Sequence, residues 1–169
     1  QKTLENLFGA FALAVDQPFR EGDVVTVDGV TGTVEQIGLR STRIRTLERT
    51  LVTIPNGKLS ELRLESASAR DRILFNTTLH LSWRSTAAQV RQVREGLEQR
   101  LLQEPLALRD SVKVRLGQIG PSSLVLEATA SLQLTDWEQY RVLREGLLLS
   151  FLEVVERAGT SLAYPTSTV

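Results

Sequence analysis

Cysteine and methionine are both absent from the 169 residues. Without cysteine there is no disulfide framework, no thiolate metal site and no thiol nucleophile, which suits a reducing compartment. Without methionine, Gln1 follows no initiator within the chain, and a piece of a longer protein is expected. Histidine is nearly absent too. His80 stands alone, and one imidazole cannot build the multi-ligand sites that hold zinc. An excess of either charge is also missing, since twenty basic residues balance twenty acidic ones. A free nucleic-acid binder draws most of its affinity from a basic surplus. Long apolar runs are lacking as well. The longest, Leu7 to Val15, has nine residues against about 20 for a membrane-crossing helix. The chain is therefore not expected to span a bilayer by itself, and it carries no signal-peptide pattern.

Catalytic patterns are equally scarce. No Gly-x-Ser-x-Gly elbow accompanies His80. No phosphate-binding Gly-x-x-x-x-Gly-Lys loop or dinucleotide-binding Gly-x-Gly-x-x-Gly element occurs. Asp28-Gly29 with Gly32 reads as turn chemistry. The carboxylate pairs Glu95/Glu98 and Glu153/Glu156 read as solvated helix faces. No enzyme, metal site or cofactor is expected.

What is present falls into three stretches. Residues 3–16 read as an amphipathic helix with Thr3 as its cap and an apolar stripe of Leu4, Leu7, Phe8, Phe11 and Val15. Gly9, Ala10, Ala12 and Ala14 lie between these, small enough to let another helix or a bilayer surface come close. Pro18 ends the helix. Residues 23–54 switch to period two. Val25 and Val27, then Thr33–Leu39, Thr42–Leu47 and Leu51–Ile54, read as short strands, with Gly29 and Gly32 as punctuation. They predict a small β-barrel or curled sheet, a unit too small to bury much core without a partner.

From residue 72 the rhythm changes. Ile73, Phe75, Thr77, Leu79, Leu81 and Trp83 share one strand face. A helix capped by Ser85 or Thr86 follows through about Gln103. Strands over 112–117 and 124–134 come next, then a helix capped by Asp136 with Trp137, Tyr140, Leu143 (or Arg144), Leu147, Phe151 and Val155 inward. Gly159 ends that helix, and 161–164 form a last strand. This β-α-β-β-α-β order is the ferredoxin-like arrangement, and the overall class is α+β. Residues 65–72 are the best domain boundary.

One basic cluster stands out, Arg40 to Arg49. It reads as a strand with arginines pointing outward. An RNA path is the competing reading, but the cluster lacks the aromatic residues that stack bases.

In order, these residues resemble the small-conductance mechanosensitive channel (MscS) family. The resemblance runs through Asn6-Leu7, Pro18-Phe19-Arg20, Gly22-Asp23, Val27, Gly29, Gly32-Thr33-Val34, Ile37 to Thr42 (including Arg40), Arg45-Thr46 and Ile54-Pro55-Asn56-Gly57-Lys58. It closes on Ala158-Gly159 and Tyr164-Pro165. It implies that 1–17 is the second half of a pore-lining helix, with Leu4, Leu7, Phe8 and Phe11 as packing residues. It further implies an Sm-like β domain over 18–66 and a ferredoxin-like α/β domain over 67–169. The implied assembly is a homo-oligomer of seven subunits on the cytoplasmic side of a bacterial-type inner (plasma) membrane. Lipid would lie against the N-terminal helix, and ions and small solutes would pass through on hypo-osmotic shock, with no nucleic-acid partner. The runner-up is an Sm-like RNA-binding module fused to a ferredoxin-like domain. Three departures are visible. Glu48-Arg49 stands where the family usually has Asp-Gly, which predicts a different turn. Ser66 to Ala69 replaces an Asn-aromatic-Ser-Arg joint. The last strand is expected to be short.

Overall fold

The computed structural model describes residues 2–164, and within it the chain forms two compact units that divide between Arg70 and Asp71. Pro165, the end of the closing motif, lies outside the described residues.

The first unit opens with helix α1 (Lys2–Asp16). Thr3 is inside the helix instead of capping it, because the first turn already includes Lys2. The helix stops where Pro18 requires it, with Gln17 at φ 42°. Five strands follow: β1 (Val24–Val27), β2 (Val30–Ile37), β3 (Ser41–Thr46), β4 (Leu51–Pro55) and β5 (Leu64–Ser66). They form one antiparallel sheet in the order β4-β3-β2-β1-β5. β4 and β5 are its two edges and do not pair with each other, so the sheet is open. A six-residue helix, α2 (Asn56–Glu61), separates β4 from β5. Val25, Val27, Val34, Ile44 and Ile54 point inward at period two, where Leu13 of α1, Phe19 and Leu59 of α2 meet them.

Two turns show how local chemistry sets the sheet. Asp28 and Gly29 join β1 to β2 with φ of 51° and 76°, the doubly left-handed turn that matches strand twist. The β3–β4 hairpin keeps a left-handed residue as well. It is Arg49, at φ 69°, with Glu48 outside the left-handed region, so this hairpin differs from the doubly left-handed Asp28-Gly29 turn. Thr46 closes the hairpin, its N–H donating to the Thr50 carbonyl at 2.9 Å and its carbonyl accepting from Arg49 N–H at 3.0 Å.

The second unit has strand β6 (Ile73–Leu81), helix α3 (Ala87–Leu102), a 3₁₀ turn at Arg109–Ser111, strands β7 (Lys113–Ile119) and β8 (Leu124–Leu132), and helix α4 (Trp137–Arg157). β8 lies between β6 and β7, antiparallel to both. The inward residues of β6 and β8 form one core with Val90, Val93, Leu97 and Leu101 of α3 and Tyr140, Leu147, Phe151 and Val155 of α4. Phe75 meets Phe151 edge to face at 5.9 Å. Each such ring contributes roughly 1.5–3 kcal/mol by leaving water. Thr86, not Ser85, caps α3 through a full capping box with Gln89. Asp136 caps α4 through Gln139 N–H at 2.7 Å.

Three details differ from the pattern. Trp137, the first residue of α4, is half exposed and not inward. A register shift between Leu116 and Gln118 breaks the alternation of β7. The expected last strand is reduced, among the described residues, to a single antiparallel bridge between Leu162 and Leu81.

Candidate functional site

The family motif gathers where α1, α2 and the loops of the five-stranded sheet meet. Pro18 is exposed while Phe19 is buried in the core. Arg20 to Asp23 form a turn in which the Asp23 carboxylate accepts from Arg20 N–H at 2.9 Å. Gly22, at φ 93°, provides the left-handed step. Its N–H donates to the Val34 carbonyl at 2.7 Å, and Val34 N–H donates to the Asp23 carbonyl at 2.8 Å. The chain leaving α1 is thereby fastened to β2.

Gly32 does something other than turn. It lies within β2, and a Cβ there would stand 2.5 Å from the Arg45 carbonyl oxygen and 2.7 Å from Ile44 Cγ2. Its lack of a side chain lets β3 cross closely, a use of glycine that period-two reading cannot tell from punctuation.

Asn56 is the buried polar centre of the site. Both it and Thr42 are fully buried. Asn56 Oδ1 accepts from Thr42 Oγ1 at 2.9 Å, and its Nδ2 donates to the Gly38 carbonyl at 2.7 Å. Asn56 N–H donates to the Arg40 carbonyl at 2.9 Å. Arg40 thus contributes its backbone, with its side chain exposed. Pro55 precedes α2 as its N-cap without any side-chain cap bond.

α1 lies on α2 through its small face. Gly9 and Leu13 are its buried residues, and Asn6 Oδ1 accepts from Gly57 N–H at 3.1 Å. Leu4, Leu7, Phe8 and Phe11, expected to pack, are 60%, 53%, 69% and 66% exposed within this chain. The reason is steric: only a side without bulk can approach the α2 backbone. An open groove of about 890 Å3 runs between the helices, bordered by Leu4, Phe8, Gly9, Ala12, Pro55 and Gly57. α2 itself escapes sequence reading, because six residues containing a glycine show no helical period. Its one signal is Leu59, four residues beyond Pro55.

The arginine cluster is partly neutralised. Arg45 grips Glu35 with two bonds, Nε to Oε2 at 2.6 Å and Nη2 to Oε1 at 2.9 Å. That grip lowers the Glu35 pKa below its ordinary value and raises that of Arg45. His80 contacts Ser123 Oγ through Nδ1 at 2.9 Å, and among the described residues no carboxylate bonds to its ring. Nor does any group of three or more His, Cys, Asp or Glu residues there suit a metal ion. No helix among them is long and apolar enough to cross a membrane.

A small-faced helix is clamped to a five-stranded β unit, and an α/β unit follows in the chain. The family model described as "Mechanosensitive ion channel, beta-domain" matches residues 2–65. The small-conductance mechanosensitive channel MscMJ of Methanocaldococcus jannaschii is 31% identical over 169 residues, covering 100% of this chain and 48% of that protein. The low conductance mechanosensitive channel YnaI of Escherichia coli is 27% identical, covering 98% of this chain and 49% of that protein. The chain thus spans about half the length of the curated relatives it matches. Among solved structures, the closed-state crystal structure of Helicobacter pylori MscS shares the fold with a TM-score of 0.80 at 15% identity, covering 98% of this chain and 64% of that one. Arabidopsis thaliana MSL1 shares it with a TM-score of 0.89 at 19% identity, covering 97% and 60%. Residues 2–65 thus match the β-domain of mechanosensitive ion channels, and the chain over its whole length is similar to part of the MscS-family channels.

Proposed function

We propose that this chain is the pore-adjoining and sub-membrane part of a tension-gated channel subunit. In this reading α1 is the second half of a pore-lining helix, the first unit is an Sm-like β domain and the second a ferredoxin-like domain. Copies close into a ring of seven on the cytoplasmic side of the plasma membrane. Tension opens the pore, and ions and small solutes leave the cell on hypo-osmotic shock.

The observation that carries this reading is the two-sidedness of α1. Its small face is clamped to the β unit, while Leu4, Leu7, Phe8, Phe11 and Val15 all stay more than half exposed. Contiguous exposed apolar surface of this kind marks a contact with protein or membrane. A helix from the next subunit and lipid are the covers that a channel offers. The RNA reading draws no support from Arg45, whose charge is already held by Glu35.

Patch-clamp recording of the full-length protein in a bacterial host deleted for its own channels is the test. Current that rises with membrane tension is expected. Its absence from correctly inserted protein removes the reading.

A further inference from the structure

The seat of α1 on the β unit is made of backbone. A Cβ on Gly9 would stand 2.6 Å from the carbonyl carbon and oxygen of Asn56 and 2.7 Å from the nitrogen of Gly57. The helix therefore rests directly on the Asn56–Gly57 peptide, and that peptide's N–H donates to Asn6 Oδ1. Six residues of α2 without a side-chain cap are too few to hold this peptide by helical hydrogen bonding, which is cooperative and favours longer segments.

What holds it is Asn56. Its carboxamide bridges Thr42 on β3 and the Gly38 carbonyl in the β2–β3 connection, and its N–H reaches the Arg40 carbonyl. Both side chains of the Thr42–Asn56 pair are shielded from water. No solvent molecule can replace a lost partner, so the bonds persist or leave a buried group unpaired.

Resting on the channel reading, we propose that Thr42 and Asn56 are positioning residues for gating. The pair fixes the peptide on which α1 is seated. Displacement of α1 under tension is then resisted by, and passed to, β3 and the β2–β3 connection. Neither residue touches the permeating ions in this scheme; both act through the seat.

The test uses the full-length protein in lipid. Thr42→Val keeps the shape and removes the hydroxyl, while Thr42→Ser keeps the hydroxyl. Thr42→Val is expected to speed amide hydrogen exchange over residues 56–58 several-fold with β1 and β2 unchanged. It also shifts the tension for half-maximal opening at unaltered single-channel conductance, and Thr42→Ser does neither. Gly9→Ala, which lifts α1 off the same peptide, shifts the midpoint in the same direction. Combined with Thr42→Val it shifts less than the sum, because both act through one contact. If Thr42→Val does not accumulate, Thr42→Cys makes the same comparison with a weaker donor. A uniform rise in exchange across the sheet with an unmoved midpoint overturns the proposal, and so does an additive double variant. Wild-type protein without tension-activated current overturns the channel reading and this proposal together. Wild-type current with an unmoved Thr42→Val midpoint overturns the positioning role alone.

Discussion

Gly32 and Glu35 are three residues apart on β2 and make opposite demands on β3. Gly32 must remain bare so that the Arg45 carbonyl can approach. Gly32→Ala therefore forces the strands apart. Overpacking of this kind costs about 1–3 kcal/mol, read as a lower urea midpoint with an unchanged slope. Glu35 must remain charged to hold Arg45. Because the Arg45 bond lowers its folded pKa, the pair's stabilisation is present above the unfolded carboxylate pKa and lost as pH falls through the folded value. A carboxyl NMR titration is expected to place Glu35 below the ordinary glutamate midpoint, and Arg45→Gln to move it back up. The stability difference between wild type and Glu35→Gln should shrink toward acid pH. A difference that widens in acid contradicts the assignment.

Among the elements, the β3–β4 hairpin carries a local conflict. Arg49 occupies the left-handed region at φ 69°, which costs a side-chain-bearing residue about 1–2 kcal/mol. Its carbonyl accepts from Arg45 Nη1 at 3.1 Å, a backbone contact that any residue can supply. Arg49→Gly is expected to raise the unfolding midpoint of the first unit, with thermal denaturation as the measurement. The gain is smaller than the full strain, since glycine also widens the unfolded ensemble. Helix α1 shows the complementary case. Its most apolar stripe is outside, and its contact face is chosen by size, with Gly9 against the α2 backbone.

For the whole molecule, the open edges of the five-stranded sheet matter most. Among the described residues, β4 and β5 each leave one side unpaired, and unpaired strand edges invite another chain. A head-to-tail contact that closes gives a ring, which is the assembly proposed above. Removing residues 2–16 from the full-length protein should weaken that ring, because the exposed stripe of α1 goes with them. Light scattering in detergent reads the outcome, and an unchanged oligomer after the deletion counts against the role given to α1.

The order of elements in the second unit is legible from sequence because β6 and β8 alternate cleanly and both helices carry their own caps. Ile73, Phe75, Leu79 and Leu81 on β6, and the Thr86–Gln89 box on α3, are local signals that need no distant partner. The motif from Pro18 to Lys58 likewise carries local signals, since Gly22, Gly29 and Asp23 in it fulfil turn requirements. Other features depend on residues far apart in the chain. Asn6 meets Gly57 across 51 positions, Gly9 meets Asn56, and Gly32 meets Arg45. Periodicity describes one element at a time, so it assigned the bulky stripe of α1 to packing and Gly32 to a turn. Tertiary structure placed Gly32 inside β2 and the small face of α1 on α2, because the closeness of two backbones is decided by the smallest side chain between them and not by the most hydrophobic one.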